Sequence, residues 1–311
     1  MLALTAAPGK PGNVDLREVP DATPHHHEAL VRVRAISLNR GETRRLGDMR
    51  DGERVGWDLA GVVERASADG TGPADGTRVV GFMPTHAWAE LVAVPTNTLA
   101  PLRDDVTFEQ AATLPVAGLT ALRALDIIGP MLARRALVTG ASGGVGRFAV
   151  QLAKLAGAHV TGVSANAERA RGLRELGVDS VIHELEPTGD EFDGIVEGVG
   201  GRTLGAAIQR VAAQGTIVSF ASSDTSPVEY PTRALFGRAS GAKVVGIYIF
   251  AEVMSRGGCS DDLSRLVQLV GERRLDCSID RVLPWSEAAT AIEALLDRQV
   301  TGKIVLTVGS D

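Results

Sequence analysis

Midway along the chain a short apolar strand runs into a glycine turn and out into a helix: Ala136-Leu-Val-Thr-Gly140-Ala141-Ser142-Gly143-Gly144-Val145-Gly146, then a helical face of Val145, Phe148, Ala149 and Leu152. This order of events constrains the fold more than any other stretch. Glycine reaches positive φ and lets backbone approach a bound group closely. The helix start adds unpaired N–H groups and the positive end of its dipole, a seat for a pyrophosphate. The spacing Gly140-x-x-Gly143-x-x-Gly146 departs from strict G-x-G-x-x-G, yet it lies inside a strand–helix–strand unit, Ala136–Val163, where a dinucleotide loop belongs. A helix is predicted over Gly144–Ala156. Strands follow at His159–Val163, Ser180–Ile182, Gly194–Val199, Thr216–Phe220 and Lys243–Phe250, with helices at Ala167–Leu176 and Leu204–Ala213. Such alternation builds a parallel sheet covered on both faces.

Two rival loops fit the same glycines. Gly140–Gly144 satisfies G-x-S-x-G, the nucleophile elbow of α/β-hydrolases, but that fold needs an acid and then a histidine later in the chain, and none of the six histidines lies beyond His183. Thr139-Gly140-x-x-x-Gly144-x-Gly146 fits the loop of short-chain dehydrogenases, which lies near the N-terminus and works with a Tyr-x-x-x-Lys pair. Here Tyr230 and Tyr248 are followed four residues on by Ala234 and Glu252. Both readings fail.

The second strand of the unit points to the cofactor. An NAD site places Asp or Glu at its end, about 20 residues past the glycines, for the ribose 2′-hydroxyl. This chain has Val163-Ser164-Ala165-Asn166, with Arg169 and Arg171 just beyond. Hydroxyl, amide and guanidinium groups without a carboxylate accept a 2′-phosphate, so NADPH is expected over NADH. At least one of the two arginines is expected merely to meet solvent.

Ahead of the loop the pattern differs. Residues 28–35 alternate apolar and polar, Leu59–Val63, Thr77–Gly81 and Trp88–Val94 are strand-like, and Gly, Asp and Pro punctuate them. After Phe250 come helices at Asp261–Glu272 and Ser286–Asp297 and a closing strand, Lys303–Val308. A length of 311 residues suits two domains. A net charge of −6 and only 7 Phe, 3 Trp and 2 Tyr argue against a nucleic-acid partner. Two cysteines, Cys259 and Cys277, exclude a disulfide framework and a four-cysteine zinc site. No apolar run is long enough to span a membrane, and the first residues lack a basic leader, so a cytoplasmic location is expected. His25-His26-His27 reads as a solvated loop.

Val31-Arg-Val-Arg-Ala-Ile-Ser-Leu-Asn39, Gly56-Trp-Asp-Leu-Ala-Gly61, Gly76-Thr-Arg-Val-Val-Gly81, Leu114-Pro-Val-Ala-Gly118-Leu-Thr-Ala121 and Gly302-Lys-Ile-Val-Leu306, in this order around the glycine loop, span nearly the whole chain. With them the sequence resembles the medium-chain dehydrogenase/reductase superfamily, most of all its zinc-independent, quinone oxidoreductase-like branch. The resemblance implies an α/β protein: a GroES-like, β-rich catalytic domain from residues 1–113 and 252–311, a Rossmann doubly wound parallel sheet from residues 114–251, and an active site in the cleft. Zinc-containing relatives place a cysteine and a histidine where this chain has Asn39 and Trp57, so no zinc is expected.

By the same resemblance Asn39 is the catalytic candidate, an amide beside nicotinamide and substrate that could hydrogen-bond a carbonyl or an ordered water. Arg44 stands where relatives often have a tyrosine, which suits an acidic acceptor, and with Trp57 it is assigned to the substrate side. Ala141, Ser142, Gly143, Gly144 and Val145 would hold the diphosphate, and Ser164, Asn166, Arg169 and His183 the adenosine phosphate. Thr120, Val199, Gly200, Phe220, Ala221, Ser222, Tyr248 and Ile249 would border the rest of the cofactor. The Lys243–Phe250 edge strand implies a homodimer. The expected activity is NADPH-dependent, metal-free hydride transfer to a quinone or α,β-unsaturated carbonyl. Alternatives are an enoyl-thioester reductase of a biosynthetic pathway and a nucleotide-binding sensor with little turnover.

Overall fold

The alternation at residues 28–35 becomes a strand with its charged side chains outward: Val31 and Val33 are buried, Arg32 and Arg34 exposed. The computed structural model describes residues 1–309. β1 (Leu2–Ala6) and β2 (Val14–Glu18) pair antiparallel. β3 (Glu28–Ser37) pairs antiparallel with β4 (Asp58–Arg65) and β6 (Leu91–Pro95), and β5 (Arg78–Phe82) links β4 to β7 (Leu99–Pro101). A single-turn helix α1 (Arg40–Thr43) follows β3. Thr107 caps α2 (Phe108–Ala112), its hydroxyl accepting the Gln110 N–H at 3.2 Å.

From α3 (Leu119–Ile128) the chain alternates: β8 (Arg135–Val138), α4 (Gly144–Leu155), β9 (His159–Val163), β10 (Ser180–Ile182), β11 (Phe192–Glu197), α5 (Gly201–Arg210), β12 (Val211–Ser219) and β13 (Lys243–Gly246). Their sheet is parallel throughout, in the order β10-β9-β8-β11-β12-β13. Chain direction around the sheet reverses between β8 and β11, so the loops leaving those strands part and open a crevice at their carboxyl ends. Central strands covered on both faces carry apolar runs: Leu137, Ile195 and Ile217 are fully buried.

The tail comprises α6 (Ile249–Ser255), α7 (Ser260–Gly271), β14 (Ile279–Pro284), α8 (Ala288–Leu296) and β15 (Lys303–Thr307). β15 pairs with β3 and β14, so it completes the first sheet, in the order β14-β15-β3-β4-β5-β7 with β6 also on β3. Trp88, Trp285 and Ile304 share its core. Two units result: residues 1–119 with those from 253 onward, and residues 120–252. Among the described residues no helix is long and apolar enough to cross a membrane.

Three predicted elements form differently. Residues 167–176 make successive turns rather than a helix, because Gly172 at φ +77° interrupts the run. The predicted helix Leu204–Ala213 starts and ends earlier, as α5, and Val211 already begins β12. The predicted strand Lys243–Phe250 stops at Gly246, where β12 runs out of residues to pair with, and Ile249 opens α6 instead.

Candidate functional site

The glycine loop is tight enough to need its glycines. Gly140 turns at φ +58°, and an alanine at 146 would place its Cβ 2.3 Å from the Gly140 carbonyl oxygen and 2.7 Å from Ala141 Cα. The Ala141 N–H bonds the Val163 carbonyl at 3.0 Å and the Gly143 N–H bonds the Gly140 carbonyl at 2.9 Å, tying the loop to the end of β9. Gly143 is the N-cap of α4 and has no side chain to cap it. The N–H groups that open α4, at Gly144 and Val145, therefore lack intrahelical partners. Donors of that kind, at the positive end of a 12-residue helix, fit a diphosphate.

Beside them the structure gathers four of the residues assigned to the adenosine phosphate. Ser164 Oγ lies 3.2 Å from Ser142 Oγ and 3.2 Å from the Asn166 carbonyl. His183 Nδ1 lies 2.9 Å from the Ser164 carbonyl oxygen, which can only accept, so Nδ1 carries the hydrogen and Nε2 faces away. Asn166 Oδ1 accepts the N–H groups of Glu168 and Arg169 at 2.8 and 3.2 Å, fixing the turn that carries Arg169. Arg171 points to solvent, 3.8 Å from exposed Glu168. Arg147 was missed by sequence reasoning: it is buried in the first turns of α4, and its Nη2 donates to the Arg171 carbonyl at 2.8 Å. Nothing local to a helical arginine signals that reach.

The loop after β11 is organised by a second missed residue. Glu197 is fully buried, and its Oε1 accepts Thr139 Oγ1 at 3.2 Å, the Val199 N–H at 2.7 Å and the Gly200 N–H at 2.9 Å. Thr139 Oγ1 in turn accepts the Gly198 N–H at 3.0 Å, so one carboxylate braces both loops at the crevice. Its signal was an acid ending an apolar run, Gly194-Ile-Val-Glu197. The Phe220 ring packs on Gly198, Ala221 and Ser222 are exposed, and Thr120 is buried in α3. Tyr248 is exposed, its ring 5.0 Å from that of Phe250, while Ile249 is buried.

In the other unit Asn39 sits at the N-cap of α1, within a buried polar cluster. Its Nδ2 donates to Glu42 Oε1 at 2.9 Å and to Asp58 Oδ2 at 2.8 Å, while its Oδ1 accepts from Lys303 Nζ at 2.7 Å. Lys303 also donates to the Leu38 carbonyl at 3.0 Å and lies 3.7 Å from Asp58 Oδ2. The Val116 N–H reaches Asp58 Oδ1 at 2.9 Å. Burial pushes the Glu42 carboxyl well up, with Asp58 adding to the effect, and burial pushes Asp58 up against the pull of Lys303. Burial also lowers the Lys303 ammonium. This corrects what Asn39 can offer. Both amide hydrogens are committed, to Glu42 and Asp58, so the side chain has none left to donate to a ligand. The Trp57 ring lies against Gly41 of α1, within 3.0 Å of where a Cβ would be, and Arg44 is exposed at the end of α1. Sequence reasoning missed Glu42, Asp58 and Lys303. The lysine in an otherwise apolar strand was the available signal. Among the described residues no three His, Cys, Asp or Glu side chains come together as a metal site.

The family described as zinc-binding dehydrogenase matches residues 144–272. The chloroplast envelope quinone oxidoreductase homolog of Arabidopsis thaliana is 29% identical, over 93% of this chain and 92% of its own length. A stretch of the spectinabilin polyketide synthase system protein NorB of Streptomyces orinoci is 30% identical, over 97% of this chain and 14% of that protein. The quinone oxidoreductase from Coxiella burnetii superposes with a TM-score of 0.83 at 27% identity, covering 99% of each chain.

Proposed function

Because this chain belongs to the medium-chain dehydrogenase/reductase superfamily, in its quinone oxidoreductase-like branch, we propose that it is an NADPH-dependent, metal-independent reductase of quinones or α,β-unsaturated carbonyls. The observation that carries the cofactor choice is the end of β9. There Ser164 faces Ser142 where an NAD site has a carboxylate, with Arg169 on the adjoining turn. Bound NADPH supplies the hydride. The open N-terminus of α4 and the Glu197-braced loop hold the diphosphate and the strand-end backbone in place, so the protein's part is orientation.

The donor set supports a metal-free site. By the resemblance, the positions that ligate zinc in relatives carry an amide and an indole here, Asn39 and Trp57. With both its N–H groups engaged, Asn39 meets any ligand as an acceptor only, and the proton that accompanies the hydride comes from solvent. Exposed Arg44 favours acidic acceptors. A second reading, reduction of an enoyl thioester, draws support from the likeness to part of a polyketide synthase system protein. NADPH oxidation against a panel of quinones, enones and enoyl thioesters, with and without chelator, tests both. Turnover of quinones or enones untouched by chelator supports the first, turnover confined to thioesters the second. Turnover confined to alcohols, or tightly held stoichiometric zinc, overturns both.

A further inference from the structure

The cluster around Asn39 is one proton short of balance. Two carboxyl groups, Glu42 and Asp58, and one ammonium, Lys303, are enclosed at 4%, 0% and 3% exposure. A lone buried charge is strongly unfavourable unless it is paired, and a group in that position neutralises instead. Asp58 has what an anion needs: the Lys303 ammonium at 3.7 Å and N–H donors from Val116 and Asn39. Glu42 does not. Its Oε1 accepts the backbone N–H and Nδ2 of Asn39, both at 2.9 Å, but Oε2 is buried without a hydrogen-bond partner, and the Lys303 ammonium, which pairs with Asp58, acts on this carboxyl only from a distance.

Among the described residues, the charges that act most on Glu42 come from Asp58 and Lys303. β4 contributes Asp58 and β15 contributes Lys303. α8, packed against α1, carries Glu293, which is engaged by the Gly12 N–H at 3.0 Å. Within α1, Arg40 turns to the Leu295 carbonyl at 3.2 Å. Arg44 is exposed at its end.

We propose that Glu42 is a neutral carboxylic acid in the folded protein at neutral pH, and that with Lys303 it is a positioning residue that holds Asn39 and the start of α1 in place. With the proton on Oε2 the cluster is neutral, and Oε1 keeps both Asn39 hydrogens. Loss of that proton leaves an unpaired buried carboxylate whose relief is to pull α1 away from β4 and β15, releasing Asn39. The consequence for turnover rests on the reductase reading, whereas the two tests below do not involve turnover.

A carboxyl raised on folding keeps its proton where the unfolded chain, near the ordinary 4.5, has lost it. Its contribution to stability is therefore complete below that value and drains away as pH rises toward the folded-state value. Glu42→Gln copies the neutral acid and cannot ionise. The expected result is a variant that melts close to the wild type at about pH 5 and progressively above it toward pH 9. Melting curves that shift in parallel over this range overturn the proposal. The second measurement reads the group directly: with both proteins folded at pH 7, an infrared difference spectrum, wild type minus Glu42→Gln, shows a carboxylic-acid carbonyl band. Carboxylate bands in its place overturn the proposal as well.

Discussion

Lys303 Nζ lies 2.7 Å from Asn39 Oδ1, and this contact decides which way the Asn39 amide faces. An ammonium only donates, so the oxygen must point at it and the nitrogen at Glu42 and Asp58. Removing the cation leaves Asp58 buried with no countercharge. Lys303→Met is expected to lower stability by about 3–5 kcal/mol, the cost of stranding one partner of a buried pair, read as a fall in denaturation midpoint. Lys303→Met with Asp58→Asn is expected to recover part of that loss; a double variant no better than the single one would show that the charge pairing is not the cause.

Gly146→Ala tests the loop. Its Cβ would meet Gly140 and Ala141 backbone that has no room to move aside. NADPH affinity is expected to fall tenfold or more by calorimetry, about 1.4 kcal/mol or above, and wild-type affinity would count against the loop as the diphosphate seat.

Ser164→Asp restores the acid that NAD sites carry at this strand end. A carboxylate 3.2 Å or so from Ser142 Oγ repels a 2′-phosphate and can accept from a 2′-hydroxyl. The ratio of kcat/KM for NADPH over NADH is expected to drop by about tenfold or more, the scale of one charged hydrogen bond. An unchanged ratio would remove the 2′-phosphate from this corner.

The two thiols are expected to be silent. Burial pushes Cys259 and Cys277 each up to about 12, far from the thiolate that reacts. Thiol titration should find none reacting at pH 8 in the folded protein and two after denaturation. Rapid labelling of the native protein would contradict this.

β13 pairs with β12 on one side, and among the described residues no strand covers its other edge. Val244 on it is 46% exposed. An edge of this kind is a pairing surface, and we propose that a second copy covers it. Light scattering at micromolar concentration should give twice 32.5 kDa, and Val244→Glu half of that; a monomeric wild type would exclude the pairing.

Local pattern was enough for much of this protein. The glycine turn between β8 and α4, the alternation of β3, the parallel run from β8 to β12 and the serine in place of an acid at 164 all follow from neighbours in sequence, because strand, turn and helix-start chemistry is set within a few residues. Where local pattern erred, a non-local term had decided: β13 stops at Gly246 because its partner β12 ends, which no residue of its own announces. The Asn39 cluster lay wholly beyond reach. Asn39, Asp58 and Lys303 sit on β3's exit, β4 and β15, up to 264 residues apart, and only sheet pairing brings them within hydrogen-bonding distance. Charge, protonation and amide orientation depend on that enclosure, so tertiary structure alone decided that an asparagine read as able to hydrogen-bond a carbonyl or a water has both amide hydrogens already engaged.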